Sequence, residues 1–332
     1  MTLAEGYGCE MIEAEMEKNM RLYVIGNGFD KHHDVKCGYC DFKKWLEDNR
    51  SNVYDNLTRI YGNCDSDWWR TFEESLAKID PDKYPDEVAG KSFFELKRLL
   101  EERYGALGRE AIDAYEEAGG DVNNKFRLSA AIAHFEMEKL KEDLNDAFGE
   151  WVMTLGVPGH EHYIDWIDKN ATFFTFNYTT TLEDLYGVEE DQIVHLHGSV
   201  DNGVFVIGHN LTMEDILNND MENAYDRDPD ADVGEDEARM QLFEVIADQL
   251  RKPVKEIIDE HKVAFNELSI LSELIVLGFS YSPIDLPYLR RIFEIAGTDI
   301  KVKFGWHTPE DKKNAEAFRD EMMLSNCELM EF

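Results

Sequence analysis

The chain has 332 residues, 43% of them apolar and 12% aromatic, which excludes a disordered polypeptide and suffices for one α/β core with a sizeable insertion, or for two domains. Seventy acidic against 34 basic side chains leave a net charge of -36, a field that repels nucleic-acid phosphates and anionic lipid, so neither is an expected partner. Five cysteines at irregular spacing (Cys9, Cys37, Cys40, Cys64, Cys327) argue against a disulfide framework and for a reducing compartment, with the cytoplasm as default.

Residues 1–20 carry no strand pattern and read as an N-terminal extension. Leu22–Ile25 is short, apolar and β-branched and runs into Gly26-Asn27-Gly28-Phe29-Asp30, which suits a buried parallel strand ending at a tight turn. The glycines permit close approach of a ligand, and the following helix would aim N–H groups at an anion such as pyrophosphate. Asp30 reads either as a cap of that helix or as a holder of a ribose hydroxyl.

From residue 41 to 151 the chain is rich in Glu, Lys, Leu and Ala with apolar residues at helical intervals, and four or five helices are expected there as an insertion. Strand signals return at Thr172–Phe176, Ile193–Leu196, Val204–Ile207, Leu274–Leu277 and Ile300–Phe304, with helical stretches between most of them, which predicts a parallel sheet. Residues 218–236, dominated by Asp, Asn and Glu, read as an acidic mobile loop. The core is thus expected over 21–40 and 152–332.

Three of these strands deliver polar residues to their carboxyl ends, where open parallel sheets bind ligands. Thr175 and Asn177 end one, Asn177 suited to holding a sugar hydroxyl or a water, or to a plain turn. His195 and His197 end the next, and alternation puts both on one face, with His197 beside Gly198 the better acid/base candidate. The third ends in Gly278-Phe279-Ser280-Tyr281-Ser282-Pro283-Ile284-Asp285, with Pro283 and Asp285 fit for a helix's first turn. No convincing metal-ligand spacing is present.

The turn GNGFD, the segment FTFNYTTTLEDLY, the element HLHG and the late GFSYSPIDLPYL resemble the AbiH family of abortive-infection proteins, itself similar to the sirtuin-like NAD-binding fold. Tyr39–Phe42 and Trp69–Glu73 are further matches, and the likeness runs from about Arg21 to Phe318. It implies a Rossmann-like (sirtuin-like) doubly wound parallel sheet with a large helical insertion. It also implies that Gly26, Asn27 and Gly28 line a dinucleotide, that Asn177 falls on the sirtuin-type catalytic Asn and that His197 falls on the sirtuin-type His. Sirtuin deacetylases carry two C-x-x-C pairs on a zinc module; Cys37 and Cys40 are the one such spacing here, so no metal is expected.

Residues and resemblance together give a candidate nucleotide-contacting set of Gly26, Asn27, Gly28, Phe29, Asp30, Thr175, Gly278, Ser280 and Asp285, with Asn177 and His197 catalytic. The expected function is anti-phage defence by hydrolysis of NAD, as substrate, at the nicotinamide–ribose bond. A non-catalytic nucleotide sensor signalling to a partner is the alternative, and a homo-oligomer or a defence-system protein is the expected partner.

Overall fold

The computed structural model describes residues 19–62, 64–78, 91–156, 158–212, 214–215 and 248–332. Most of the N-terminal extension and the whole 218–236 segment lie outside the described residues.

Six parallel strands form one sheet: β1 (Met20–Ile25), β2 (Thr172–Thr175), β3 (Ile193–His195), β4 (Leu271–Leu277), β5 (Lys301–Trp306) and β6 (Cys327–Glu331). Their order is β3-β2-β1-β4-β5-β6, so the chain runs outward from β1 in one direction, returns, and runs outward from β4 in the other. That α/β order is Rossmann-like and sets a switch point between β1 and β4, with all carboxyl ends on one rim.

Alternation along the central strands feeds two cores. Leu22, Val24, Phe174, Leu274, Val276, Val302 and Phe304 face one side, while Tyr23, Ile25, Phe173, Ile275 and Leu277 face the other. Strands buried on both faces are continuously apolar, which is why these segments carry a clear sequence signal. Helices α1 (Asn27–His32) and α9 (Thr181–Tyr186) cover the Tyr23 side through Phe29, Leu182 and Leu185. The Leu22 side is covered by α10 (Val254–Glu260), α11 (Lys262–Glu267), α12 (Leu286–Ala296) and α13 (Pro309–Glu321). Each fully buried Leu, Ile, Val or Phe contributes about 1.5–3 kcal/mol.

Between α1 and β2 the described residues form seven helices rather than four or five: α2 (Tyr39–Asn49), α3 (Ser51–Tyr61), α4 (Ser66–Arg70), α5 (Phe72–Ser75), α6 (Phe93–Tyr104), α7 (Ala106–Glu117) and α8 (Lys125–Val152). The excess comes from breaks at single residues, Arg50 between α2 and α3, Thr71 between α4 and α5 and Gly105 between α6 and α7, each of which splits one helical pattern in two. These helices bury Phe42, Leu46, Leu57, Trp69, Phe72, Leu144 and Phe148 in a core of their own.

One strand expectation is corrected and one strand is added. Val204–Ile207 is not a strand: Phe205 and Ile207 pack against the helical core, with the Phe205 ring 5.9 Å from Tyr178 and 6.4 Å from Phe148. The sixth strand, β6, was not expected, because at the sheet edge its Glu328 and Glu331 face solvent and interrupt the apolar run.

Candidate functional site

The switch point is closed by backbone against backbone. Gly28 N–H donates to Gly278 O at 2.7 Å, Gly26 N–H to Leu277 O at 2.9 Å, and Phe29 N–H to Gly26 O at 2.9 Å. A Cβ at Gly28 would stand 2.8 Å from the Cα of Gly278, and one at Gly278, whose φ is +63°, would stand 2.0 Å from Phe29 N. The glycines of the first turn therefore answer to the turn after β4, and three N–H groups of that first turn, those of Gly26, Gly28 and Phe29, already have acceptors. Asn27 donates through Nδ2 to Cys37 O at 3.0 Å, and Phe29 is fully buried against His33 and Tyr186.

On the Tyr23 side of the rim sits Asp30, 1% exposed, with Asn177, 5% exposed. The Thr179 hydroxyl donates to Asp30 Oδ2 at 2.6 Å, Thr179 and Thr181 share a hydroxyl bond of 3.0 Å, and the Asn177 N–H donates to Thr175 Oγ1 at 3.1 Å. Asp30 Oδ1 and both amide atoms of Asn177 have no hydrogen-bond partner among the described residues. Burial raises the Asp30 carboxyl above the usual carboxylate range against the hydrogen bond from Thr179. Beside them His195 offers Nε2 to Glu183 Oε1 at 2.9 Å and Nδ1 to Asn177 O at 3.1 Å. Burial lowers that imidazole, but the Glu183 bond and charge prevail and raise it above the ordinary histidine value. A cleft of about 30 Å³, lined by Leu155, Pro158, Thr179, Thr180, Thr181 and Val200, opens onto the threonine turn.

On the Leu22 side lies His197, 3% exposed, with Nε2 3.2 Å from the Tyr288 hydroxyl and 3.9 Å from Asp285 Oδ1. Its ring meets Phe176 edge-on at 4.9 Å. Burial, followed by the nearby Lys252 ammonium, lowers it well below the ordinary histidine value, so it is neutral at pH 7. The expectation that His195 and His197 share a face is corrected: β3 ends at His195, alternation stops there, and the turn that follows sends His197 to the opposite side. Asn177 and His197 thus have separate partners, and Phe176, next to Asn177 in sequence and edge-on to His197, joins the two groups. Ser280 is exposed at the rim, its Oγ accepting Ser282 N–H at 3.4 Å.

The family model described as Bacteriophage abortive infection AbiH matches residues 22–306. The chain belongs to the AbiH family. No curated protein matches it. The AbiH match spans β1 through β5 and so includes both polar groups of the rim.

Sequence reasoning on this AbiH protein missed Lys252, and took Tyr288, Thr179 and Glu73 only as parts of motifs. Lys252 is 1% exposed, its Nζ 2.9 Å from Glu73 Oε1 and 3.4 Å from Asp285 Oδ1. A single Lys followed by Pro253 gives no local signal of burial; its partners come from α5 and from the residue preceding α12. Cys37 is buried with Sγ 3.7 Å from Asn27 O, burial pushing its thiol well up, whereas Cys40 is exposed. Among the described residues the side chains with metal-ligand spacing are Asp34, Glu161 and His162, all exposed. No described helix of this AbiH protein is long and apolar enough to cross a membrane.

Proposed function

We propose that this AbiH protein, acting in phage defence in the cytoplasm, hydrolyses NAD at the nicotinamide–ribose bond in a sirtuin-like site at the sheet's carboxyl rim. The observation that carries the reading is the pair of buried side chains with unused hydrogen-bonding atoms, Asp30 Oδ1 and the Asn177 amide, beside the threonine-lined cleft. Native proteins rarely leave such atoms unpaired, and the combination fits a sugar: Asp30 accepts from a ribose hydroxyl, while Asn177 accepts from one group and donates to another. Breaking the bond leaves a sugar cation at the ribose carbon. Water adds there, nicotinamide leaves, and one proton is released. A positioned amide and a nearby carboxylate suit that transition state, and His197, on the other side of Phe176, is the proposed acceptor of the proton. Because Gly28 and Phe29 N–H groups are already bonded, ribose rather than pyrophosphate recognition supports the reading.

The test is incubation of the purified chain with NAD and quantification of free nicotinamide. Asn177→Ala and His197→Ala are each expected to lower the rate by roughly a hundredfold or more. Variants that cleave at the wild-type rate per folded molecule overturn the catalytic assignment. The placement of His197 on the other side of Phe176 from Asn177 favours a second reading, a nucleotide sensor that signals to a partner without chemistry. Binding of ADP-ribose without release of nicotinamide from NAD supports it.

A further inference from the structure

Lys252 is an expensive residue to bury. An ammonium withdrawn from water costs several kcal/mol unless it is paired, and a buried ion pair seldom stabilises more than apolar packing of the same volume. Stability alone does not account for a lysine with 1% exposure held between Glu73 Oε1 at 2.9 Å and Asp285 Oδ1 at 3.4 Å. Its carboxylate partners come from segments far apart in the chain: Glu73 from α5 in the helical layer, with Oε1 also accepting Gly208 N–H at 3.2 Å, and Asp285 from the N-terminal end of α12. The same Asp285 Oδ1 stands 3.9 Å from His197 Nε2, outside hydrogen-bond reach, while the Tyr288 hydroxyl stands at 3.2 Å.

We propose that Glu73 and Lys252 are positioning residues: by drawing Asp285 Oδ1 away from His197, they leave Nε2 to accept from the Tyr288 hydroxyl and place the ring proton on Nδ1. The importance of His197 rests on the hydrolase reading above, but the arrangement itself does not. The helical layer thereby supplies part of the rim's chemistry through Glu73. The charged and titratable groups around the imidazole are Lys252, Asp285 and Tyr288, and behind them Glu73, Tyr39 and Tyr178. Burial raises the Glu73 carboxyl, while two acids keep Lys252 protonated against its own burial. Removing the ammonium leaves Asp285 facing His197 without a competitor, and a carboxylate within 4 Å draws a proton onto the nearer nitrogen.

The experiment is NMR of the full chain carrying 15N- and 13C-labelled histidine, with His197 assigned by His197→Gln, over pH 5.5 to 8. In the wild type the His197 signals are expected to report an unprotonated Nε2, a protonated Nδ1 and no titration. Lys252→Met is expected to move the proton to Nε2 and raise the titration midpoint by about one pH unit or more. Should Lys252→Met fold poorly, Glu73→Gln/Lys252→Met neutralises the pair together and carries the same expectation. A wild type with Nε2 protonated overturns the proposal, as does a folded variant whose His197 tautomer and titration are unchanged; a purely structural salt bridge gives that second result. The readout needs no NAD cleavage, so failure of the hydrolase reading and failure of this arrangement are separately visible.

Discussion

Gly278→Ala tests whether the glycines at the switch point serve backbone packing or ligand approach. At φ +63° an alanine pays about 1–2 kcal/mol of local strain. Its Cβ would lie 2.0 Å from Phe29 N and 2.5 Å from Gly28 C, both backbone atoms, so α1 must move away. Overpacking of that kind costs about 1–3 kcal/mol. Displacing α1 also weakens the bond from Gly28 N–H to Gly278 O, at about 0.5–1.5 kcal/mol net. The expected loss is roughly 3–6 kcal/mol, a large share of the roughly 5–15 kcal/mol that holds a typical domain. Gly297→Ala is the control: φ there is +79° and nothing lies within 4 Å of the added Cβ, so only the strain remains. Urea unfolding followed by tryptophan fluorescence, without any nucleotide, compares the two. A Gly278→Ala chain no less stable than Gly297→Ala refutes the packing account and returns these glycines to a ligand.

Asp30 is raised by burial in the folded chain, so folding favours its protonated form, and its contribution to stability is lost as pH rises from the unfolded value through the higher folded one. Asp30→Asn is therefore expected to gain stability relative to wild type between pH 4 and pH 8, measured as urea midpoints. The gain is about 1.4 kcal/mol for every pH unit that separates the folded and unfolded titration midpoints of Asp30, and a difference that shrinks over that range contradicts the burial argument. Cys37 and Cys40 are expected to hold no zinc, since the Cys37 thiol is buried and resists ionisation. One zinc per chain by metal analysis, lost in Cys37→Ser/Cys40→Ser, would reverse that.

What the sequence disclosed follows the range of the interactions involved. β1, β2 and β4 were legible because burial on both faces makes Leu22–Ile25, Phe173–Phe174 and Leu274–Leu277 unbroken runs of core residues. Val204–Ile207 is equally apolar, but its Phe205 and Ile207 pack on helices, and composition does not say what an apolar run packs against. Period-two reasoning failed at His197 for a local cause, the end of β3 at His195. Asn177 and Asp30 were recognisable as polar residues at strand ends, yet the bond from Thr179 to Asp30 depends on how the segment after β2 folds back. Glu73 and Lys252 were beyond reach, because nothing near either residue in sequence signals the other.

The place of the helical layer follows from the topology. The crossover from β1 to β2 leaves the carboxyl end of β1 and must return to the amino end of β2, so residues inserted soon after α1 emerge at the carboxyl rim. Tyr39 and Glu73, early in that insertion, consequently stand over the strand ends, whereas α6 and α7, later in it, build an outlying core of Leu96, Leu100 and Ile112. The contact is mutual. Tyr178, Val200, Phe205 and Ile207 from the sheet side pack into the helical core, and they come from the loops that follow β2 and β3 and carry Asn177 and His197. Apolar cover from the same loops excludes water from the polar groups they carry, so each charge and hydrogen bond there acts at a lower effective dielectric than it would on an open rim. Any displacement of the helical layer would expose that apolar cover and break the Glu73–Lys252 pair together, which makes the state of the rim and the seating of the insertion one equilibrium rather than two.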